Sequence, residues 1–446
     1  MMTRRQMMGL SGMAVAGAAL AARSEGPADY SIEIAPSVLE IAPRTLVKTT
    51  AYNGKAPGPL LRLKEGRTVT IDVTNGTKVD EMLHWHGLFL PSEIDGAMEQ
   101  GTPHLVPGKR KRYEFAPRPS GLRWYHSHVF AGKDLGRGLY SGQHGFLYIE
   151  PKEDAGRFDR EEFVVLQDWG GHLMGSGDGS MSASYDKSTI NGKMLGFGEP
   201  IRVKPADRLM LHLLNASATE VHWVALAGHE FEVVALDGNA VPRPRKVPML
   251  RLSPAERVSA VVTMDNPGVW VMGEVRKSVM RAGMGVVVEY AGSAGQPVWQ
   301  QPNDLLWDYV QFGEAGEGEK AAGEVVAIPL VFESKFAGHG AMDKWLINGR
   351  SFPNTESPVL KEGQRYRLVM ENKSQDDHPV HLHRHSFELK RLNGVPIRGI
   401  IKDTVLVKAG TKADVEFTAN DPGLSLFHCH QQDHMDNGFM MLFRYA

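Results

Sequence analysis

The stretch His428-Cys429-His430-Gln431-Gln432-Asp433-His434 is the most informative part of this chain and contains its only cysteine. In an extended strand, alternate side chains point to opposite faces. The imidazoles of His428 and His430 therefore face one way, and Cys429 faces the other. One short strand can then bind one metal through sulfur and a second metal centre through two imidazoles. A thiolate with imidazoles selects copper or zinc. A thiolate joined to a second metal centre indicates electron transfer, which zinc cannot perform.

Three further histidine clusters occur upstream, and each contains a His-x-His pair that can present two imidazoles on one strand face. They are His84-Trp85-His86, His126-Ser127-His128 and His378-Pro379-Val380-His381-Leu382-His383. A lone His-x-His pair is usually a solvated or core feature, but four pairs, one of them around the only cysteine, are not explained in that way. In a regular strand His378 has the opposite parity to His381 and faces away from it. The ligands therefore sort into a single-copper set (Cys429, His378 and His434) and eight paired histidines, enough for three copper ions.

The motifs HWHG, WYHSHV, HPVHLH and HCHQQDH resemble those of the multicopper oxidases of the laccase type and occur in the same order, from about residue 45 to the C-terminus. The resemblance implies a type 1 copper that takes single electrons from a reducing substrate. It also implies a type 2 copper and a type 3 pair that reduce dioxygen to water, four copper ions in all. The implied ligands are His378, Cys429 and His434 for type 1, His84 and His381 for type 2, His86, His126 and His430 for one type 3 copper, and His128, His383 and His428 for the other.

Length and composition predict an all-β protein of several domains. A chain of 446 residues corresponds to roughly three domains of ~100–200 residues each. Its many glycines and prolines separate short Val/Ile/Leu runs, a pattern typical of β-sandwiches. An internal repeat supports this count, because Asn53-Gly54, Asn191-Gly192 and Asn348-Gly349 each begin a similar segment that leads to a histidine. The repeat and the resemblance together predict three cupredoxin-like Greek-key β-sandwich domains.

The predicted organisation has five parts. They are an export signal at 1–22, a first domain with cluster ligands at 23–153, a second domain without copper at 154–295, a linker at 296–323, and a third domain with the type 1 copper and further cluster ligands at 324–446. The middle copy carries single histidines, His222 and His229, without a partner at ligand spacing, so we expect both to be structural. The trinuclear cluster is therefore expected where the first and third domains meet, with the middle domain as a spacer and pocket wall.

The first residues predict export. Thr3-Arg4-Arg5-Gln6-Met7-Met8 resembles a twin-arginine signal, and the apolar run that follows is shorter than the ~20 residues of a membrane span. Ala19-Leu20-Ala21 offers a cleavage site, and an uncleaved anchor is the alternative. The predicted location is the periplasm or exterior of a bacterium. The net charge of −2 with mixed signs gives no basis for nucleic-acid or membrane-surface binding, and we expect a monomer.

Two residues near the predicted coppers receive specific roles. Phe439 stands ten residues after Cys429, where family members often carry the axial methionine. Phenylalanine cannot coordinate, so we predict a three-coordinate type 1 copper with a raised reduction potential; Met440 is the alternative ligand. Asp95 follows HWHG at the spacing of a family carboxylate beside the type 2 copper, which predicts general acid work during dioxygen reduction. Met435 stands where some relatives have a second acidic residue.

The sequence leaves the reducing substrate open. Asp376, Asp377, Asp433 and Asp436 flank the type 1 ligands and predict an acidic rim, although solvated loop carboxylates are the alternative. Such a rim suits a phenol or aromatic amine, or Cu(I). The chain lacks a contiguous Met/His-rich insertion, which favours the organic substrate, with dioxygen as acceptor. A periplasmic cuprous oxidase for copper tolerance is the first alternative. A non-catalytic copper-binding or electron-transfer protein is the second.

Overall fold

The computed structural model describes residues 26–151, 158–175, 180–316 and 324–446. The predicted export signal and residues 317–323 of the predicted linker lie outside these ranges. The described chain forms three β-sandwiches, each built from two sheets.

The first sandwich packs two four-stranded sheets, with strand orders β2-β1-β4-β6 and β3-β8-β7-β5. Its strands are β1 (Tyr30–Ala42), β2 (Thr45–Tyr52), β3 (Leu61–Lys64), β4 (Val69–Asn75), β5 (Leu83–His86), β6 (Arg110–Phe115), β7 (Gly121–Ser127) and β8 (His144–Glu150).

The middle sandwich packs a six-stranded sheet, β12-β9-β14-β19-β16-β17, on a five-stranded sheet, β13-β21-β20-β15-β18, and carries the separate hairpin β10-β11. Its strands are β9 (Arg160–Trp169), β10 (His172–Gly175), β11 (Met181–Ser184), β12 (Lys187–Ile190), β13 (Ile201–Val203), β14 (Arg208–Asn215), β15 (His222–Leu226), β16 (Phe231–Leu236), β17 (Asn239–Val247), β18 (Leu250–Leu252), β19 (Arg257–Thr263), β20 (Val269–Glu274) and β21 (Gly285–Tyr290).

The last sandwich packs an eight-stranded sheet, β22-β29-β28-β32-β26-β23-β24 with β30 beside β28, on the five-stranded sheet β25-β34-β33-β27-β31. Its strands are β22 (Glu314–Ala315), β23 (Val325–Lys335), β24 (Lys344–Ile347), β25 (Val359–Leu360), β26 (Arg365–Asn372), β27 (His378–Leu382), β28 (Phe387–Leu392), β29 (Val395–Arg398), β30 (Ile401–Lys402), β31 (Thr404–Val407), β32 (Lys412–Thr418), β33 (Ser425–Cys429) and β34 (Met440–Tyr445).

Helices in the described ranges are short. The α-helices are α1 (Ser92–Asp95), α2 (Lys277–Arg281) and α3 (Gln432–Asp436), and the 3-10 turns are Met98–Gln100, Gly138–Tyr140 and Tyr309–Phe312. α3 follows β33 directly, so the strand with Cys429 and the helix with His434 form one continuous unit.

The internal repeat has a structural counterpart at its Asn-Gly turns. Asn53, Asn191 and Asn348 adopt left-handed backbone angles, with φ of 51°, 50° and 51°. The following glycines also have positive φ, which is the conformation that a tight hairpin turn requires and that asparagine and glycine tolerate best. The three sandwiches therefore share the same local turn, which in each case follows one of their first strands, β2, β12 or β24.

A second asparagine fixes the entry to each histidine strand. Asn75, Asn215 and Asn372 end β4, β14 and β26, and each side-chain amide donates to one backbone carbonyl in the following loop and to a second carbonyl on a distant segment of the same sandwich. Each amide satisfies carbonyls that would otherwise be buried without partners. These hydrogen bonds fix the conformation of the loop, and so the position of the next strand, which carries His84, His222 or His378.

The hydrophobic core of the middle sandwich is continuous with that of the last one. A single cluster of buried side chains includes Leu211 of the middle sandwich and Leu368 of the last. Trp307, Tyr309 and Phe312, from the described part of the predicted linker, are buried in the same cluster. Burying each such aromatic ring stabilises the fold by about 1.5–3 kcal/mol. This segment therefore stabilises the packing of the middle sandwich against the last one.

Candidate metal centres

Eight histidines from four strand ends converge between the first and last sandwiches. β5 pairs with β7 so that His84 lies opposite His126, and β27 pairs with β33 so that His381 lies opposite His428. All eight are buried. Their ligand atoms form mutually close groups, each spanning no more than 4.8 Å: His84, His86 and His381; His86, His126 and His430; and His128, His383 and His428.

Most of these imidazoles are oriented by a hydrogen bond at one ring nitrogen. Backbone carbonyls accept from Nδ1 of His84, His126, His381 and His428 at 2.7–2.9 Å. The carboxylate of Asp95 accepts from His383 Nδ1 at 2.7 Å. Such a partner fixes the tautomer and directs the opposite nitrogen toward a metal.

Several buried ring nitrogens of this group have no hydrogen-bond partner in the described part of the chain. They are His84 Nε2, His86 Nδ1, His126 Nε2, His128 Nε2, His381 Nε2 and both ring nitrogens of His430. Orphaned buried polar atoms are costly, so their concentration at one point fits a site built for metal ions.

The protonation state of these imidazoles agrees with a metal-binding role. Burial, reinforced by repulsion among neighbouring imidazoles, lowers the pKa of His86, His126, His128, His383, His428 and His430 well below the usual value. Burial likewise lowers the pKa of His381 to about 4. At neutral pH these rings are neutral, and a neutral imidazole offers its lone pair to a metal.

A second candidate site lies on the other face of β33. Cys429 Sγ is 3.5 Å from Nδ1 of both His378 and His434, and these two nitrogens are 3.0 Å apart. Burial lowers the pKa of His378 to about 3 and raises the pKa of the Cys429 thiol. Two neutral imidazoles and one thiol in a triangle match the His2Cys donor set of a blue-copper site. Cys429 lies between His428 and His430 in sequence, so a few covalent bonds connect the two sites.

Phe439 and Met440 occupy different environments. Phe439 is fully buried and packs against His378, with ring centroids 4.6 Å apart. Met440 lies in a separate apolar cluster with Ala97, Leu426 and Met435. This packing favours Phe439, and not Met440, as the neighbour of the thiol site.

Asp95 contacts two of the cluster histidines. Its carboxylate accepts from His383, and its backbone carbonyl accepts from His84 Nδ1 at 2.8 Å. Gln100 donates to the same carboxylate oxygen at 2.6 Å. The other oxygen, Oδ1, is buried without a partner among the described residues, so it is available to a group inside the site.

Asp403 is a site residue that the sequence analysis missed. Its Oδ1 lies 3.1 Å from His86 Nε2, and its backbone carbonyl accepts from His381 Nδ1 at 2.7 Å. Asp403 belongs to no histidine motif and stands 20 residues from the nearest cluster ligand in sequence. Asp403 immediately precedes β31, whose pairing with β27 places Thr404 opposite His381.

The middle sandwich carries an ion triad at the position that corresponds to His84 and His378. His222 Nε2 and Nδ1 each lie 2.9 Å from a carboxylate, of Asp168 and Glu274 respectively. His229 instead hydrogen-bonds Tyr290. Neither histidine falls in a group of possible metal ligands within the described ranges.

A cavity of about 360 Å³ reaches His434 from the surface. It lies between the β10-β11 hairpin of the middle sandwich and the loops around the thiol site, and Met181 N of that hairpin donates to Ala341 O. Its chemically distinctive lining residues are Glu220, Asp343, Asp376, Asp433, Met181 and Met342.

The four predicted rim carboxylates do not share one location. Asp376 and Asp433 line this cavity. Asp377 accepts from Ala409 N, and the carboxylate of Asp436 accepts from Ala131 N and Gly132 N. Asp377 and Asp436 therefore serve to hold loops, and Asp436 ties α3 to the loop after His128.

Comparison with known proteins agrees with this geometry. Three family models described as multicopper oxidase match residues 34–154, 162–288 and 330–446. The multicopper oxidase MmcO of Mycobacterium tuberculosis is 28% identical over 96% of this chain and 90% of that protein. Copper resistance protein A of Escherichia coli is 23% identical over 86% of this chain and 87% of its own length.

Solved structures show the same fold. A multicopper oxidase from Pseudomonas thermotolerans superposes with a TM-score of 0.73 at 24% identity, covering 94% of this chain and 98% of that one. The laccase from Botrytis aclada gives a TM-score of 0.74 at 19% identity, covering 93% and 87%. The predicted three cupredoxin-like sandwiches are confirmed.

The fold and the two donor sets define a copper oxidoreductase that uses dioxygen as acceptor. This chain belongs to the multicopper oxidase family, whose members bind four copper ions of types 1, 2 and 3. The predicted family, the oxidase activity with dioxygen as acceptor and the copper cofactor are confirmed. Among the described residues, none of the helices has the length and apolar character needed to cross a bilayer.

Proposed function

We propose that this chain is a laccase-like oxidase that takes single electrons from phenols or aromatic amines beside His434 and delivers them to dioxygen at the eight-histidine cluster. The observation that carries the proposal is the position of Cys429. It belongs to the thiol site on one face of β33, while its neighbours His428 and His430 belong to the cluster on the other.

The ligand roles are proposed from the same groups. His378, Cys429 and His434 would hold the type 1 copper, and His84 and His381 the type 2 copper. His86, His126 and His430 would hold one type 3 copper, and His128, His383 and His428 the other. When bound, these ions would supply one-electron acceptance at the thiol site and four-electron reduction of dioxygen at the cluster.

Side chains of the protein would orient the ligand histidines and supply protons for the reduction of dioxygen, and Asp95 is the proposed residue for both tasks. Asp95 holds His383 through its carboxylate and His84 through its carbonyl, so it connects two ligand sets. Its unpartnered Oδ1 is placed to carry a proton toward reduced oxygen, which is the general acid work that water formation requires. With Met435 apolar and buried, Asp95 would carry this work without a carboxylate at that second position.

The cavity beside His434 supports a small organic reductant. Its volume lies within the usual range for small-molecule sites, about 300–1,000 Å³. A phenol O–H or an aromatic amine N–H can donate to Asp433 or Asp376 while the ring approaches His434. Carboxylates at the mouth also favour electron-rich or cationic reductants over anionic ones.

Cu(I) is a second candidate reductant, and Met181 with Met342 favours it. Both thioethers line the cavity together with Asp343, and thioethers are soft ligands for Cu(I). Several relatives carry names that refer to copper resistance. A periplasmic address by twin-arginine export, as the first residues predict, suits either reductant.

Oxygen uptake by copper-loaded protein, with a dimethoxyphenol and anaerobically prepared Cu(I) as parallel reductants, tests the proposal. We expect faster uptake with the phenol, and a Met181→Leu/Met342→Leu double variant that keeps this rate. Faster uptake with Cu(I), lost in the double variant but kept in Met174→Leu on the same hairpin, would establish the second candidate. Fully loaded protein that consumes no oxygen with either reductant would contradict both and leave a non-catalytic copper protein.

A further inference from the structure

Six charged side chains are buried together where the three sandwiches meet, next to the cluster. This interdomain ion cluster consists of Arg123, Asp237, Glu256, Arg257, Lys402 and Asp403, none more than 2% exposed. It contains three cationic and three anionic groups, so its formal charges balance. Buried ions are tolerated only when they are paired and hydrogen-bonded in this way.

Arg257 of the middle sandwich makes the central contact. Its guanidinium donates from Nη1 to Asp403 Oδ1 at 2.7 Å and from Nη2 to Asp403 Oδ2 at 2.5 Å. This is the two-pronged geometry that arginine offers to a carboxylate and lysine does not. Arg123 of the first sandwich approaches Asp403 Oδ2 at 3.4 Å.

Asp403 in turn orients two cluster histidines, His86 and His381, by accepting a hydrogen bond from each. His86 Nε2 donates to Asp403 Oδ1 at 3.1 Å, which leaves His86 Nδ1 to face the cluster. His381 Nδ1 donates to the Asp403 carbonyl at 2.7 Å, which leaves His381 Nε2 to face it. His86 and His381 stack on each other, with ring centroids 3.8 Å apart.

The backbone around Asp403 is also held by residues of the middle sandwich. Asp403 N and Thr404 N donate to Asp237 Oδ2 at 3.3 and 3.1 Å. Lys402 Nζ lies 3.0 Å from both Asp237 Oδ2 and Glu256 Oε1. The middle sandwich therefore fixes both the main chain and the side chain of Asp403.

We propose that Arg257 is a positioning residue for the oxygen-reducing centre, acting through Asp403 on His86 and His381. The middle sandwich contributes none of the proposed copper ligands, yet it would set the geometry of two of them. The inference rests on the proposed ligand roles of these two histidines. It gives the middle sandwich a part in the chemistry beyond that of a spacer and pocket wall.

Copper titration and spectroscopy of Arg257→Lys test this inference, because lysine keeps the charge and loses the two-pronged contact. We expect the copper affinity of the cluster to fall about 10–100-fold, as typically follows loss of a group that orients metal ligands. The EPR signal of the type 2 copper should change in shape and intensity. The visible copper–thiolate absorption of the type 1 site should stay at its wild-type intensity per protein.

Arg276→Lys is the matched control, since Arg276 pairs with Glu274 in the same sandwich and makes no contact with Asp403 in the described structure. It should leave both copper signals unchanged, even if it lowers stability. Should Arg257→Lys not be recovered folded, Asp403→Asn provides the same test, with the same selective loss expected.

Unchanged cluster affinity and type 2 EPR signal in a folded Arg257 variant would overturn the inference. A parallel loss of the type 1 absorption would also overturn it, because that would show a merely structural role. Failure of the proposed function is distinguishable, since it would appear as absence of oxygen uptake by loaded wild-type protein, whereas this titration compares copper binding in the wild type and the variant.

Discussion

Trp345 lies against His434, with ring centroids 3.9 Å apart, and its indole is only 5% exposed. The same indole meets His378 edge-on at 4.9 Å. It therefore covers the two imidazoles of the thiol site between the cavity and the core. An apolar cover limits access of water, and water access is one of the factors that set the potential of such sites.

Replacing Trp345 with leucine should lower the reduction potential of the type 1 site, because admitted water stabilises the oxidised, more highly charged state. Trp345→Phe keeps an aromatic cover and should stay close to the wild type. A redox titration that follows the visible absorption measures both variants. An unchanged or raised potential in the leucine variant would show that the indole does not act as a solvent shield.

Replacing Phe439 with methionine should also lower the potential, since a thioether can then approach the copper as a weak axial ligand. Phe439 is the ring that packs on His378, whereas Met440 lies in another apolar cluster. Met440→Leu is therefore the matched control and should leave the potential at the wild-type value. The assignment of Phe439 fails if only the Met440 variant shifts it.

Asp95→Asn should slow dioxygen reduction by about 10²–10⁴-fold, the usual contribution of a positioned general acid or base. The amide matches the carboxylate in size but cannot deliver a proton. Reduction of the type 1 site by substrate without oxygen should proceed at the wild-type rate, because Asp95 lies at the cluster. Stopped-flow absorption separates the two steps.

Glu93 offers the control, because it is an exposed carboxylate on the same short helix, α1. Glu93→Gln should leave both steps unchanged. An Asp95→Asn enzyme with wild-type turnover would place the proton donor elsewhere.

Sequence patterns predicted the parts of the site that repeat. Strand parity separated Cys429 from His428, and His378 from His381, and the structure places these residues on opposite sides of their strands as expected. The Asn-Gly repeat predicted three related sandwiches, because a left-handed turn leaves a recognisable residue pair. Both predictions depend on short-range geometry.

Asp403, Arg257 and Trp345 could not be found in this way. Each reaches the site through pairing between distant strands or sandwiches, and none belongs to a motif with fixed spacing. Asp377 and Asp436 show the converse, since proximity to a ligand in sequence suggested a shared rim but their carboxylates turn to backbone amides of neighbouring loops.

The ion triad of the middle sandwich predicts a pH-dependent stability. Burial opposes charge on His222, but Asp168 and Glu274 outweigh it and raise the pKa of this histidine to about 9. An unfolded histidine titrates near ~6.5. The stabilisation is therefore fully present below about pH 6.5 and is lost as the pH rises through about 9. The size of the shift corresponds to about 3 kcal/mol.

His222→Gln should remove this dependence and lower the free energy of unfolding at pH 6 by about 3–5 kcal/mol, the usual cost of breaking a buried ion pair. His229→Gln is the control, because burial lowers the pKa of His229, so this histidine contributes no stability that is lost as the pH rises. Denaturant unfolding at a series of pH values measures both. The charged state of His222 would be refuted if its variant kept the wild-type slope.

The central claim is that Cys429 binds one copper on one face of β33 while its neighbours help to bind three on the other. The most direct measurement is copper content together with visible absorption and EPR for the wild type and for Cys429→Ser. We expect four copper ions in the wild type. In the variant we expect three, with the visible copper–thiolate absorption lost and the type 2 EPR signal retained. A variant that keeps the visible absorption, or one that loses the cluster copper as well, would contradict it.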